Sequence, residues 1–387
     1  MKEQPTEREA LIALNRVQGL GSITVRRIID ALGSAAAVFH ATEAQCRAIP
    51  GIGAERAALL LHAVHEVDVH AELEKAATCG VTLMTWDEPA YPALLKQIAD
   101  PPFVLYVAGD VSVLNTSAVA IVGTRHPTVY GRETARRFAY QLSTVGYTIV
   151  SGLAEGIDTE AHTGAVKAKG RTIAVLGGAL DCLYPKSNTG LAREIVAGGG
   201  AVISEYAFGR QPDAQTFPMR NRIVSGLCKG IVVVESPLKS GTLITAGQAV
   251  EQNRSVMVVP GRIDSPASQG SHQLIKEGAK LVSQVDDVVE ELQDLFVTVP
   301  QRCPRDAGGA AHEREGRGAA HATSKAPVVA LSADECAVLQ QIDHAGVPVD
   351  VVIRSTALAP GAVNAILVGL QLKKQIQMLP GSMIVRI

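Results

Sequence analysis

Small, cationic and aromatic side chains recur at the points where predicted strands of this sequence end. Gly123-Thr124-Arg125 follows an apolar run at 118–122, and Phe217 precedes Arg220 and Arg222 where a helix is predicted to begin. Glycine lets a backbone approach a phosphate, arginine adds positive charge, and an aromatic ring stacks on an unpaired base. This combination of residue types predicts a surface that binds the backbone and the bases of a nucleic acid.

Residues of the same types lie in neighbouring loops. Lys186 follows another predicted strand, and Lys239-Ser240-Gly241-Thr242 leads into a helix for which Ser240 or Thr242 is a plausible N-cap. The candidate nucleic-acid-binding residues are Gly123, Thr124, Arg125, Lys186, Phe217, Arg220, Asn221, Arg222, Lys239, Ser240, Gly241 and Thr242. Individually most of them have a structural alternative: Arg125 could pair with Glu205 or Glu235, and Phe217 could belong to the core. The hypothesis depends on their convergence at one edge of one sheet.

A parallel sheet would bring these residues together. The run at 118–122 is apolar without a break, which is typical of a strand buried on both faces, and largely apolar runs recur at 147–150, 172–176, 201–204, 231–234 and 256–259. Shorter strands are predicted at 81–86 and 103–107, and segments of helical length such as 131–146 and 155–169 separate the runs. The predicted fold class is α/β, with an extended Rossmann-like, doubly wound, mostly parallel sheet. Ligands bind such sheets at the carboxyl ends of the strands.

Composition limits the other possibilities. A length of 387 residues predicts two or three domains, and the net charge of -2 means that any nucleic-acid surface is a local patch. The six cysteines form no Cys-x-x-Cys pair or His/Cys cluster, which favours a reducing cytoplasm and argues against a zinc site. No apolar run approaches the roughly 20 residues that span a bilayer, and the first residues lack the apolar core of a signal peptide. We therefore expect a cytoplasmic protein without a membrane segment.

Two smaller modules are predicted to flank the sheet. Gly19-Leu20-Gly21 and Gly51-Ile52-Gly53 each stand between helical segments in residues 1–78, which resembles the helix-hairpin-helix motif, and DNA contact by this module stays open. The sheet domain is predicted at 79–297, and a flexible linker poor in large apolar residues at 298–327. Three helices and a Pro-Gly hairpin predict a winged-helix-like domain at 328–387.

The sequence gives no support for a bound cofactor. The Gly-x-Gly-x-x-Gly fingerprint of dinucleotide sites does not follow the strand at 118–122, and no Gly-Lys-Ser/Thr P-loop is present. We expect no cofactor, no metal and no catalytic residue.

Several longer motifs resemble one known family, the DNA-processing protein A (DprA/Smf) family. They are Ile121 to Arg125, Ser151 to Asp158 with Ala161-His162, Tyr184-Pro185 with Asn188, Phe217 to Ile223, and Ser240 to Thr242 with Thr245-Ala246. The resemblance covers nearly the whole chain. Where the family pattern ends in Gly-x-Asn-x-Leu-Ile, this chain has His272 in place of asparagine.

The resemblance implies a function and a set of contacts. The expected protein is non-enzymatic, binds single-stranded DNA, and loads a RecA-type recombinase onto it during natural transformation. By the same resemblance, Arg125, Lys186 and the stretch 217–222 contact the DNA, and the Rossmann domain forms a homodimer. We expect part of the segment 256–281 to form its interface, with Leu274 or Ile275 contributing if exposed.

Two functions of other classes stay open. The fold also resembles the lysine-decarboxylase-like phosphoribohydrolases, and Asp158 and His162 stand at i and i+4, a spacing that could serve acid–base chemistry. The Pro-Gly-Gly-x-Gly-Thr-x-x-Glu pattern of those enzymes is absent, so we interpret both side chains as structural. The third possibility is a partner-binding scaffold whose basic loops are incidental.

Overall fold

The chain forms two compact units, Met1–Pro300 and Gln301–Ile387, in a computed structural model. The structure describes residues 5–17, 19–293, 338–339, 341–342, 347–356, 363, 366–367, 370, 376–379 and 383–386. The predicted linker at 298–327 lies outside the described residues.

The first unit begins with the predicted helical module. Its helices are α1 (Glu7–Arg16), α2 (Ser22–Leu32), α3 (Glu43–Arg47), α4 (Ala54–Glu66) and α5 (Val69–Thr78). Both predicted hairpins are present, because Gly19 and Gly51 have positive φ and α2 and α4 begin directly after Gly21 and Gly53. Thr6 and Glu9 form a capping box at the start of α1.

The sheet follows, and its mostly parallel character is confirmed. Its strands are β1 (Val81–Thr85), β2 (Val104–Gly109), β3 (Ala118–Gly123), β4 (Thr148–Ser151), β5 (Thr172–Val175), β6 (Ala201–Ser204), β7 (Gly230–Val234), β8 (Ser255–Val258) and β9 (Lys280–Leu281). They lie in the order β1-β2-β6-β5-β4-β3-β7-β8-β9. All neighbours from β6 to β9 are parallel, whereas β1 and β2 add an antiparallel edge.

Helices cover both faces of the sheet. They are α6 (Ala93–Lys96), α7 (Val129–Thr144), α8 (Ile157–Lys167), α9 (Thr189–Ala197), α10 (Thr216–Gly226), α11 (Gly241–Glu251), α12 (Gln269–Lys276) and α13 (Val285–Leu292). Val119 and Ile121 of β3 pack with α7, α8 and α13. Ala118, Ala120 and Val122 of the same strand pack with α10 and α11 on the other face. Burial on both faces explains why β3 is apolar throughout.

The strand order fixes the ligand edge. From β3 the chain proceeds outward through β4, β5 and β6 on one side and through β7, β8 and β9 on the other. The chain connections run in opposite directions on the two sides of β3, and this leaves a crevice beyond the carboxyl end of that strand. Open α/β sheets bind ligands in such a crevice. Arg125 lies two residues beyond the end of β3.

The helical module shares a hydrophobic core with β1 and β2. Leu11, Ile28 and Leu60 belong to the same buried cluster as Tyr106 of β2. The buried carboxylate of Glu72 also accepts hydrogen bonds from the Tyr106 hydroxyl at 2.9 Å and from the Phe208 N–H at 3.0 Å. Helices and sheet are thus held together in one unit, and a separate domain at 1–78 stays a prediction.

The second unit has the predicted carboxyl-terminal hairpin. Its described elements are β10 (Val347–Pro348), α14 (Val349–Ser355), β11 (Ile376–Leu379) and β12 (Met383–Arg386), with strand order β10-β12-β11. Its core contains Val363, Leu367 and Leu370, and Ile366 packs against them. The first of the three predicted helices begins at Ser332, and this start lies outside the part of the chain that is described.

Candidate nucleic-acid interface

A shallow pocket, here called the edge pocket, lies at the carboxyl ends of β3, β4 and β5. Its lining residues are Arg125, Gly152, Ala154, Glu155, Gly177, Tyr184, Pro185, Phe217 and Arg220. Its enclosed volume of about 20 Å³ is room for a water-sized group. Any larger occupant must therefore lie mainly on its rim.

In the turn after β3, Arg125 faces outward, whereas Gly123 and Thr124 pack against the rest of the fold. A Cβ on Gly123 would collide with the carbonyl of Val234, and the Thr124 N–H donates to the Glu235 carbonyl at 2.9 Å. Thr124 is buried, whereas Arg125 is exposed. Gly123 and Thr124 consequently shape the turn, and Arg125 is the member of the motif that can reach a ligand.

Neither carboxylate that could have paired with Arg125 does so. Glu205 binds Arg222, and Glu235 accepts hydrogen bonds from the backbone N–H and the hydroxyl of Thr128 at 2.8 and 2.5 Å. Arg125 makes no ion pair with any residue that the structure describes. Its positive charge is therefore available to an anion.

The rim of the edge pocket is aromatic and cationic. The guanidinium of Arg125 lies over the Phe217 ring, 5.1 Å from its centroid, and the rings of Phe217 and Tyr184 are 6.2 Å apart. Tyr184 is 54% exposed, so its ring is open to solvent. Sequence reasoning did not include Tyr184 among the candidates, although its position in a Tyr-Pro loop after a strand is a signal that could have found it.

Lys186 lies two residues beyond Tyr184, in a short 3₁₀ turn before α9. It is exposed, and within the described chain its ammonium makes no ion pair. The structure therefore brings Arg125, Tyr184 and Phe217 together at the rim, with Lys186 on the adjoining loop.

Arg220 does not lie on an exposed track, which corrects the expectation from sequence. It is buried, and its guanidinium donates to the carbonyls of Gly152 and Val175, the latter at 2.5 Å. Burial lowers the pKa of Arg220, and the positive charge of Arg125 adds to that effect. Arg220 lines the inner wall of the pocket and fixes the loop that begins at Gly152.

Arg222 is also buried, and the expectation that it adds to the track of Arg220 is wrong. Its Nε donates to Asp100 at 2.9 Å and its Nη2 to Glu205 at 2.6 Å. Burial alone would lower the pKa of Arg222, but these two carboxylates raise it. The physical reason is helical geometry, since residues two apart on α10 point about 200° apart.

The loop before α11 forms a separate place on the same edge. Lys239 is exposed, Ser240 is the N-cap of α11, and Thr242 is buried in its first turn. The Ser240 hydroxyl lies 2.7 Å from that of Ser236 instead of capping the helix. Asn221 reaches the carbonyl of Gly241 at 3.5 Å. These residues do not line the edge pocket, and their contact with DNA stays a prediction.

Asp158 and His162 are buried on α8. The Asp158 carboxylate accepts hydrogen bonds from the backbone N–H groups of Gly152 and Ala154 at 3.1 and 3.4 Å, and burial raises its pKa against the opposing charge of Arg220. His162 Nδ1 lies 2.7 Å from the Thr172 hydroxyl, and burial lowers the pKa of His162 to about 3. Both side chains hold the loop and the sheet, and neither reaches the rim.

The described residues offer neither a metal centre nor a membrane-spanning helix. No group of three or more histidine, cysteine or acidic side chains there could hold a metal ion. Each helix described is too short or too polar to cross a bilayer.

These features define an α/β protein with an extended Rossmann-like sheet, an amino-terminal module of helical hairpins and a cationic–aromatic pocket at the ligand edge. Residues 82–293, more than half of the chain, match the family model of DNA recombination-mediator protein A, and residues 322–382 match the DprA winged helix domain. The chain belongs to the DprA/Smf family, as its motifs predicted.

Named relatives agree with this assignment. Protein Smf of Escherichia coli is 44% identical over 211 residues, which are 54% of this chain but only 56% of that protein. DNA processing protein DprA of Bacillus subtilis is 43% identical over 219 residues, or 56% of this chain and 73% of that protein.

Solved structures of the family are similar as well. The structure of DNA processing protein A from Streptococcus pneumoniae has a TM-score of 0.65 and 33% identity, covering 76% of this chain and 100% of that chain. The structure of the Helicobacter pylori protein has a TM-score of 0.50 and 32% identity, covering 55% of this chain and 95% of that chain. The latter describes how that protein binds single-stranded DNA.

Proposed function

We propose that this protein binds single-stranded DNA along the carboxyl edge of its sheet and presents it to a RecA-type recombinase, without catalysing a reaction. The observation that carries the proposal is the rim of the edge pocket, where Arg125, which has no carboxylate partner in the described chain, lies over Phe217 beside the exposed ring of Tyr184. An arginine beside aromatic rings binds a phosphate of the DNA backbone, while an unpaired base stacks on the rings.

The geometry favours a single strand over a duplex. Bases of a duplex are already stacked on each other, whereas those of a single strand offer their faces to aromatic side chains. Lys186 on the adjoining loop adds a second exposed positive charge for the backbone. Aromatic stacking and phosphate contacts do not depend on the base sequence of the DNA. This suits a protein that binds DNA of any origin.

The same geometry does not favour the phosphoribohydrolase alternative. Sites that enclose a nucleotide-sized ligand have volumes of about 300–1,000 Å³, whereas the edge pocket encloses about 20 Å³. The two groups that could act as acid and base, Asp158 and His162, are buried and engaged within the fold.

Fluorescence anisotropy with single- and double-stranded oligonucleotides of equal length tests the proposal. We expect tighter binding of the single strand, with an affinity that falls steeply as salt rises. In parallel, the protein should stimulate recombinase filament assembly on single-stranded DNA, and Arg125→Ala should reduce both activities. Equal or tighter binding of the duplex would contradict the proposal, and release of ribose 5-phosphate from AMP would favour the enzyme.

A further inference from the structure

An exposed carboxylate lies among the cations and rings of the edge pocket. Glu155 lines this pocket together with Arg125, Tyr184 and Phe217. Within the described chain its carboxylate makes no ion pair, and the hydrogen bond that it accepts from the exposed Ser187 hydroxyl is long, at 3.2 Å. Phosphate binding at the rim has no use for this negative charge. The carboxylate is therefore open to a different part of the DNA.

The backbone on both sides of Glu155 is held in place. The N–H of the preceding residue, Ala154, donates to the buried carboxylate of Asp158 at 3.4 Å. The following residue, Gly156, has a φ of 86°, and a Cβ there would lie 2.7 Å from the backbone of Arg125. Glu155 consequently occupies a defined place beside the turn that carries Arg125.

The ring on which a base would stack is fixed as well. Phe217 packs so closely on Gly177 that a Cβ at this glycine would lie 2.9 Å from the ring. The plane of a base stacked on Phe217 is set by that ring, so the edge of the base points along the rim. Residues that line a pocket enclosing only about 20 Å³ are close neighbours. The Glu155 carboxylate and the edge of such a base can therefore meet.

The charge of Glu155 decides which part of a strand can face it. A carboxylate repels a phosphate, so the DNA backbone is directed away from Glu155 and toward Arg125. An ionised carboxylate only accepts hydrogen bonds, and the donors of DNA lie on the edges of its bases. An unpaired base leaves its Watson–Crick edge open to a side chain. Glu155 thus matches the edge of a base.

The four bases differ in the donors on that edge. Guanine has two neighbouring donors, its N1–H and its N2 amino group, and the two oxygens of a carboxylate can accept both. Cytosine and adenine each have one amino group, at N4 and N6. Thymine has a single N3–H between two carbonyl oxygens, which a carboxylate repels. Guanine is therefore the base that Glu155 binds best, and thymine is the base that it binds least well.

From these features we propose that Glu155 is a specificity-determining residue, which accepts hydrogen bonds from the Watson–Crick edge of the base at the rim and favours guanine over thymine. The inference rests on the proposed function and adds a preference at one nucleotide. A strand of mixed sequence offers a guanine at frequent intervals, so binding stays general. The preference fixes which nucleotide of the strand lies at the edge pocket.

Short strands with one replaced base test the inference. A strand of roughly 6 thymidines, enough for one small site, is compared in anisotropy titrations with strands that carry one central guanine, hypoxanthine or adenine. Hypoxanthine has the N1–H of guanine without its amino group, and adenine controls for the stacking of a purine. We expect the guanine strand to bind about tenfold more tightly than the thymidine strand, within the range of a bidentate contact to a base. The hypoxanthine and adenine strands should lie between them.

Glu155→Gln is the matched variant, because it keeps the size of the side chain and removes its charge. A glutamine has one oxygen beside an amino group, so it cannot accept both donors of guanine. We expect the variant to bind the guanine and adenine strands alike. Glu251→Gln removes the same charge from an exposed residue at the far end of α11 and should keep the preference of the wild type. Thermal melting of each variant checks the fold.

The outcomes separate this inference from the proposed function. A preference for guanine over adenine that is present in the wild type and lost in Glu155→Gln supports the inference. If the wild type has no such preference, or if Glu155→Gln keeps it, the inference is wrong, and the loss of binding in Arg125→Ala still supports the proposed function. If Glu155→Gln binds every strand more tightly by one common factor, Glu155 only repels phosphate and the inference is wrong. If the wild type binds no single strand, both proposals fail.

Discussion

Replacing Arg125 and Phe217 by alanine, singly and together, should show that they act on one segment of DNA as a unit. Loss of a stacking aromatic costs about 1–3 kcal/mol, or roughly 5- to 150-fold in affinity. Loss of one phosphate contact flattens the salt dependence by about 0.7. Phe217→Ala should therefore lower the affinity with little change in slope, and Arg125→Ala should lower both.

The structure adds a coupling between the two changes. Arg125 lies 5.1 Å from the centroid of the Phe217 ring, and an exposed cation–π contact is worth about 0.5–1 kcal/mol. The energy of this contact is present with and without DNA, so its effect on binding is that each residue positions the other for the strand. The double variant should thus lose less binding energy than the sum of the single variants, by up to about that amount. Anisotropy titrations with oligo-dT over a salt series measure the affinities of the wild type, the two single variants and the double variant. Additivity within about 0.3 kcal/mol would refute the shared site.

Three further predictions concern stability and assembly. Arg222→Gln should lower the free energy of unfolding by about 3 kcal/mol in urea titrations, because it leaves two carboxylates without their cation, and a loss well under 1 kcal/mol would contradict the buried cluster. Burial lowers the pKa of His162 to about 3 in the folded state, so the unfolded chain takes up this proton first as the pH falls below about 6.5. Above that pH the contribution of His162 to the free energy of unfolding is fully present, and about 1–2 kcal/mol of it should be lost at pH 5.5. The variant His162→Asn should not show this loss between pH 6.5 and 5.5. If its unfolding has the same pH dependence as that of the wild type, His162 is not the buried neutral histidine described here. The third prediction concerns the homodimer that the family resemblance implies. Leu274 and Ile275 are half-buried against the core and make poor probes of its interface, whereas Leu281 on β9 is 47% exposed. Leu281→Arg should therefore yield a folded monomer in sedimentation, and a monomeric wild type at about tens of micromolar would count against a dimer.

The sheet could be predicted from sequence because burial on both faces leaves a simple signature. The run Ala118 to Val122 has no room for a polar residue, and each of the other long runs became a parallel strand within a residue or two of its predicted bounds. The place of Arg125 and Lys186 at the carboxyl edge could be predicted for a related reason, since the loops that follow such strands lie at that edge.

The features that the sequence did not predict depend on the direction of side chains around a helix and on contacts between residues far apart in the chain. Arg220 and Arg222 look like a pair in the sequence, but they point in opposite directions from the helix. Arg220 binds the carbonyl of Gly152, whereas Arg222 binds Glu205. The partner of Arg222 at Asp100 is 122 residues away. A cleft lined by both Ile23 and Arg210 arises in the same way, because no local pattern of the sequence connects these two residues.

The most direct test of the central claim compares cations at the two ends of the sheet. Lys186 and Arg125 lie at the carboxyl edge, whereas the exposed Lys167 and Arg171 lie at the opposite edge, at the end of α8 and just before β5. The measurement is oligo-dT affinity of the four alanine variants across a salt series, with thermal melts as the control. Arg125→Ala and Lys186→Ala should each bind more weakly and lose about 0.7 from the salt slope, while Lys167→Ala and Arg171→Ala should match the wild type. If folded Arg125→Ala and Lys186→Ala proteins bind as tightly as the wild type at every salt concentration, the carboxyl edge of the sheet is not the DNA-binding surface.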